Sequence, residues 1–129
     1  MSVVSVVERQ GTSADHAYVF HSWLKGLRAS FPEMRTGDYY QVQHARIEYL
    51  MRWSELTVLH PEGAPDVIAC WAQRIGRTLH YVHTRDEYRR KGFARRLAGD
   101  ATWCTHMTAD GAALKRALGL RYVPQLLDR

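Results

Sequence analysis

The stretch Leu79–Ala101 reads LHYVHTRDEYRRKGFARRLAGDA and decides how the rest of the chain folds. From Leu79 to His83 the side chains alternate, and this period of two predicts a strand. Farther along, Phe93 and Leu97 are four residues apart, with Ala101 four beyond, so they share one face of a predicted helix. A strand, a charged turn and an amphipathic helix therefore follow one another directly.

The turn before this helix carries basic side chains beside a glycine, in the run Arg89–Ala94. Backbone N–H groups at a helix N-terminus lack helical partners and lie at the positive end of the helix dipole, which suits an anion. Gly92 has no Cβ, so a phosphate can approach the main chain closely. Arginine and lysine neighbours add charge-assisted hydrogen bonds. The turn is therefore interpreted as a cradle for a phosphorylated cofactor, the alternative being an ordinary basic helix start whose charges face solvent.

This run resembles the cofactor motif of the GNAT family of N-acetyltransferases, (Arg/Gln)-x-x-Gly-x-(Gly/Ala), with Arg89, Gly92 and Ala94 at the motif positions. Tyr88 before the motif and Leu97 after it match the family's habit as well. The resemblance implies an acetyl-CoA-dependent N-acetyltransferase with an α/β (α+β) fold, in which helices flank a mixed central sheet. In size the chain is similar to small single-domain members of bacteriophage type.

Length and charge limit the alternatives. The chain has 129 residues, is 46% hydrophobic and carries a net charge of +5, so we expect one domain over residues 1–129 with an affinity for anions. No segment approaches the roughly 20 apolar residues of a membrane span, and the Val-rich start lacks the features of a signal peptide. We therefore expect a cytoplasmic protein that does not contact membranes.

The histidines and cysteines suggest no metal centre, because they show no CxxC or HExxH spacing. Cys70 and Cys104 lie in apolar, strand-like surroundings, so we expect buried small hydrophobes rather than a disulfide or a nucleophile.

Patterning along the chain predicts the order β-α-α-β-β-β-α-β-α-β, which agrees with the GNAT fold. Strands are predicted at 2–8, 56–60, 67–73, 78–83, 102–107 and 120–127. The first helix is capped by Ser13, and the second runs from Asp38 to about Ser54. The third ends near Gly99, and the last begins at Thr108. The expected inward face of the second helix is Val42, Ala45, Tyr49 and Trp53.

The resemblance also implies which residues hold the cofactor. Two parallel strands part after the motif strand, and the pantetheine arm enters the gap, held by the main chain of Tyr81, Val82 and His83. The amides from Arg90 to Arg95 hold the pyrophosphate. The full expected set is Tyr81, Val82, His83, Arg89, Arg90, Lys91, Gly92, Phe93, Ala94 and Arg95.

For catalysis, the candidate bases are His83 and His106, because histidine accepts protons near neutral pH and both are expected to face the gap. Glu55 and Glu62 are alternatives that act through a water. The tyrosine that protonates the leaving thiolate in the family is replaced by Lys115, and Tyr122 is expected to substitute for it.

The chain ends soon after its last strand, whereas the family usually has a hairpin there. The second wall of the substrate groove is then missing or supplied by a partner subunit in a homodimer.

Three functional classes remain: an enzyme that acetylates an unknown amine by direct attack in a ternary complex, a GNAT-like scaffold that binds a protein, and a basic nucleic-acid binder. The third is disfavoured because the basic residues concentrate at the one turn where a cofactor phosphate explains them.

Overall fold

A six-stranded mixed sheet forms the centre of the part that the computed structural model describes, residues 5–106, 115–116 and 118–123. The strands are β1 (Val6–Gln10), β2 (Glu55–Pro61), β3 (Cys70–Ile75), β4 (Thr78–Thr84), β5 (Trp103–Cys104) and β6 (Arg121–Tyr122). They lie side by side in chain order. The first four are antiparallel, whereas β5 is parallel to β4 and β6 is parallel to β5.

The helices are α1 (His16–Leu27), α2 (Thr36–Arg52) and α3 (Phe93–Ala98). A mixed sheet flanked by helices confirms the predicted fold class and, through β5, the predicted order of elements. The predicted helix from Thr108 falls largely outside the described residues, of which 115, 116 and 118 are helical. None of the helices in this part of the chain has the length and apolar character that a membrane crossing requires.

Two hydrophobic cores cover the two faces of the sheet. The first packs α1 and α2 against the sheet, with Trp23, Trp71 and Tyr81 at its centre. The second packs α3 on the other face through Phe93 and Leu97. Burial of each such large apolar side chain contributes on the order of 1.5–3 kcal/mol. The motif strand packs in both cores, through Tyr81 in the first and Leu79 in the second, and the motif helix packs in the second.

The start of α1 differs from the prediction in its cap. Thr12, not Ser13, is the N-cap of the short 3-10 turn that leads into α1. Its backbone N–H donates to the Asp15 carboxylate at 2.8 Å, and Arg9 donates two hydrogen bonds to the same carboxylate at 2.7 and 2.8 Å. Asp15, three residues after the cap Thr12, completes this capping box.

The predicted inward face of α2 is wrong. The structure exposes all four of its members, which are Val42, Ala45, Tyr49 and Trp53. The side chains that α2 buries are Tyr39, Gln43, Ile47 and Leu50. Both sets of residues have helical spacing, so spacing alone does not distinguish them. Because the buried set contains the polar Gln43, the exposed set is the more hydrophobic of the two in the sequence.

Two strands are shorter than predicted. β3 begins at Cys70 rather than Val67, and β5 covers only Trp103 and Cys104. The β3–β4 register shifts between Gln73 and Arg74, so that His80 falls between two aligned positions of β4. An extra residue of this kind is a β-bulge, which bends its strand.

Candidate active site

β4 and β5 pair only at their beginnings. The paired residues are Thr78 with Trp103 and Leu79 with Cys104, and the last backbone bond runs from the Thr105 N–H to the Leu79 carbonyl at 3.2 Å. β4 continues to Thr84 while it pairs with β3 alone. Among the described residues, the other edge of β4 beyond the bulge therefore has no strand beside it. Backbone groups on such an edge need a partner from elsewhere.

The glycine turn follows this edge after a single 3-10 turn, Asp86–Tyr88. Gly92 has φ 79° and Arg90 has φ 64°, both in the left-handed region. A Cβ at Gly92 would meet nothing within 4 Å, so the main chain is open to solvent there. The first hydrogen bond of α3 runs from the Arg96 N–H to the Gly92 carbonyl at 3.0 Å, so the amides of Phe93 to Arg95 have no helical acceptor.

The side chains around the turn are exposed and basic. The exposed basic residues are Arg89, Arg90, Lys91, Arg95 and Arg96. Two are held by acidic neighbours: Arg89 lies 3.2 Å from Asp86, and Arg96 lies 3.4 Å from Glu8. Exposed ion pairs of this kind are weak, so a diphosphate can compete for these guanidinium groups.

His83 lies on β4 just before this turn. Its Nε2 is 3.5 Å from the Tyr18 hydroxyl, and its ring centroid is 6.2 Å from that of Trp71. The residue is only partly buried. A positioned imidazole with access to solvent can exchange protons, which a general base requires.

His106 lies deeper, against the aromatic rings of the first core. Its ring is T-shaped to Trp23, with centroids 5.3 Å apart, and lies 6.1 Å from the ring of Tyr81. Burial, together with the nearby positive charge of Arg46, lowers the pKa of His106 to about 3. An imidazole with this pKa accepts protons poorly at neutral pH, which makes His106 a poor candidate for the base.

The remaining catalytic candidates are dispersed. Tyr122 on β6 is 45% exposed and lines a cavity together with His106. Lys115 lies near Cys104, where its charge acts against the burial that raises the pKa of that thiol. Glu55 lines a different cavity, next to α2 and the start of α1, and Glu62 is exposed on a turn.

The cavity beside His106, here called the chamber, encloses about 320 Å³ between α1, α2, β5 and β6. Its polar lining residues are Ser30, Gln43, Arg46, Thr105, His106 and Tyr122. The sequence prediction missed four of them: Ser30, Gln43, Arg46 and Thr105. The four-residue spacing of Tyr39, Gln43 and Ile47 was the signal that could have placed Gln43 inward.

The described residues include no group of three or more His, Cys, Asp or Glu side chains that could hold a metal ion. Both cysteines are buried and free, as expected, and burial raises the pKa of Cys70 to about 11.

Comparison with known proteins gives the fold but no sequence relative. No family model matches the chain, and no curated protein matches its sequence. A possible acetyltransferase from Clostridium difficile 630 matches with a TM-score of 0.55 and 15% identity, over 96% of this chain and 95% of that one. The aminoglycoside N-acetyltransferase AAC(6')-Iy, solved with CoA, matches with a TM-score of 0.52 and 13% identity, over 99% and 95% of the two chains.

A GCN5-related N-acetyltransferase from Rhodopseudomonas palustris matches with a TM-score of 0.50 and 12% identity, over 92% of this chain and 69% of that one. At such identities the likeness concerns the fold alone. The chain therefore has the fold of the GNAT acetyltransferases, as the resemblance of its motif predicted.

Proposed function

We propose that this chain is an acetyl-CoA-dependent N-acetyltransferase that acetylates an amine by direct attack in a ternary complex. The observation that supports this most is the parting of β4 from β5 immediately before an open, basic glycine turn. A strand whose described pairing with its parallel neighbour ends at Leu79, followed by a turn whose first helical amides lack helical acceptors, suits a pantetheine arm and a diphosphate. A solvent-facing helix start explains the charges but not the early end of the β4–β5 pairing.

In this proposal the amides from Arg90 to Arg95 hold the pyrophosphate, with Arg89 and Lys91 adding charge. Gly92 lets the phosphates approach the main chain. The backbone of Tyr81, Val82 and His83 holds the amide-bearing arm as a neighbouring strand would. Bound acetyl-CoA supplies a thioester whose C–S bond is replaced by a C–N bond to the amine.

The chain's own residues manage the protons. His83 takes the proton that the attacking amine loses, and the Tyr18 hydroxyl beside it orients the imidazole. A tyrosine hydroxyl can donate its proton in a hydrogen bond. Tyr122 is therefore our proposed proton donor to the departing sulfur, with Lys115 as the alternative. We also carry forward a single domain over residues 1–129, while the bacteriophage-type assignment has no support from the comparisons.

A second candidate, binding of a protein partner, is favoured by the exposed stripe on α2. Val42, Tyr49 and Trp53 are 53%, 47% and 60% exposed, respectively. Exposed apolar surface of this kind often marks an interface. A homodimer that uses this stripe is compatible with acetyl transfer, whereas a scaffold that binds the cofactor but acetylates nothing is the competing function.

Titration calorimetry with acetyl-CoA and desulfo-CoA, followed by free-thiol release over a panel of amines, tests the proposal. Acetyl transfer predicts binding of both cofactors and thiol release that requires an amine. Failure of both cofactors to bind would refute it. Binding without release for every amine would instead favour the scaffold.

A further inference from the structure

The exposed stripe on α2 is apolar surface that nothing in the described part of the chain covers. It consists of Val42, Ala45, Tyr49 and Trp53. Trp53, at 60% exposure, is the most exposed large apolar side chain among the described residues. Single exposed apolar residues are normal on a protein surface, but three large ones along one helix face form a patch of the kind that binds a partner.

Two charged side chains lie at the two ends of the stripe. Asp38 is in the first turn of α2 and Arg52 is in its last turn, and both are exposed. Each is seven residues from Ala45, one before it and one after it. Seven residues make nearly two helical turns, so both lie on almost the same face as Ala45. The stripe is therefore acidic where α2 begins, apolar in its middle and basic where α2 ends.

This pattern is complementary to itself when two copies of α2 lie antiparallel. A two-fold axis at Ala45 brings Asp38 of each copy opposite Arg52 of the other. The same axis sets Val42 opposite Tyr49, because these residues are three before and four after Ala45. Alanine on the axis is small enough for the helices to approach to the usual distance of about 8–10 Å. Parallel helices would instead bring like charges together.

We propose that a second copy of this chain covers the stripe, with the two α2 helices packed antiparallel about Ala45. This dimer is independent of acetyl transfer and stands or falls separately from it. α2 has 17 residues and is about 25 Å long. One helix face from each chain makes a small interface, so we expect the dimer to dissociate with a Kd in the tens of micromolar, roughly. An anionic membrane surface fits less well, because it would repel Asp38.

Sedimentation equilibrium of the full chain, from about 5 to about 500 µM, tests this dimer across its expected Kd. The mass of the wild type should rise towards that of two chains. Asp38→Arg and Arg52→Asp each replace two attractions by two repulsions, so either variant alone should raise Kd at least about tenfold. An equal mixture of the two variants should dimerise again, because one is then basic at both ends of the stripe and the other is acidic at both ends.

Two further variants control for charge and for folding. Lys25→Asp, at an exposed position on α1, changes the net charge as much as Arg52→Asp does and should leave Kd unchanged. Ala45→Arg places a long side chain on the two-fold axis and should keep the chain monomeric. Arginine costs little in an exposed helix, so the thermal melt followed by circular dichroism should match that of the monomeric wild type.

A wild type that stays at the mass of one chain up to the highest concentration would overturn the proposal. A dimer that survives Ala45→Arg and both charge reversals would use another surface, and this would overturn it as well. If the mixture of Asp38→Arg and Arg52→Asp does not dimerise while the wild type does, the antiparallel arrangement is wrong.

Discussion

Replacement of Gly92 is the sharpest perturbation of the proposed cofactor turn, because two effects can be separated there. Its φ of 79° imposes a backbone cost on any other residue, and a Cβ meets nothing within 4 Å. The cost to folding is therefore the left-handed conformation alone, about 1–2 kcal/mol. Gly63 has nearly the same geometry, φ 82° and open space, on the turn between β2 and β3. It serves as the matched control.

The cost to binding follows from charge. We take the separation between the carboxylate of an aspartate at position 92 and a phosphate seated on the amides to be on the order of 5 Å, and apply Coulomb's law. At an effective dielectric constant of about 20, one such pair of charges repels by about 3 kcal/mol. That energy corresponds to a loss of roughly two decades in affinity. Asparagine has the same shape without the charge and tolerates φ > 0, so the comparison of Gly92→Asp with Gly92→Asn isolates the electrostatic part.

The assay is calorimetric titration of desulfo-CoA into the wild type, Gly92→Asp, Gly92→Asn and Gly63→Asp. We expect Gly92→Asp to bind about a hundredfold more weakly than Gly92→Asn, with the difference shrinking as salt is added. Gly63→Asp should bind like the wild type despite a similar loss of folding stability. Equal affinity of the two Gly92 variants at low salt would refute the proposed location of the pyrophosphate.

Three further predictions concern the fold that holds the site. The Arg9 guanidinium beside Asp15 lowers the pKa of that carboxyl in the folded state. The ion pair therefore stabilises the fold fully above the unfolded pKa near 4, and this stabilisation is lost as pH falls through the pKa of the folded state. Asp15→Asn should lower the free energy of unfolding by about 1–3 kcal/mol at pH 7. The difference between the wild type and the variant, measured by urea unfolding, should vanish towards pH 2, and a difference that does not change with pH would contradict this. A Cβ at Gly26 would lie 2.3 Å from the Tyr81 hydroxyl, so Gly26→Ala should destabilise by about 1–3 kcal/mol and Tyr81→Phe should relieve part of that loss, whereas additive effects would refute the contact. Burial raises the pKa of Cys70 to about 11, so in the Cys104→Ala background its thiol should react with a disulfide reagent only when the chain unfolds.

The motif stretch was predictable because its signals are local. An alternating strand, a basic glycine turn and a helix with four-residue spacing each depend on neighbours in the sequence. β4 and α3 were accordingly placed almost to the residue, ending at Thr84 and Ala98. The antiparallel pairing of β3 with β4 and the parallel pairing of β5 with β4 followed from the lengths of their connections.

The face of α2 could not be predicted in this way, because it depends on tertiary packing. Tyr39 is buried through a hydrogen bond from its hydroxyl to the Leu24 carbonyl and a cation–π contact with Arg28. Neither contact leaves a mark in the hydrophobic pattern of α2. Gln43 is buried on the same face, and this polar residue makes the buried face of α2 look less hydrophobic in the sequence than the exposed one.

His106 shows the same limit at the candidate site. The sequence indicated a strand-end histidine facing the gap, and this position made it a candidate base. Its burial against Trp23 of α1, which helps to lower its pKa to about 3, depends on the tertiary packing of the helix on the sheet. The chamber is likewise an arrangement of side chains from four elements, so no local pattern could reveal it.

Amide hydrogen exchange with and without desulfo-CoA tests the central claim most directly, because that claim concerns main-chain groups. We predict that saturation slows exchange at least about tenfold in residues 81–84 of β4 and residues 90–95 of the glycine turn. Exchange in β2, which has a strand on both sides, should be unchanged. Binding of desulfo-CoA with no added protection in either segment would contradict the account.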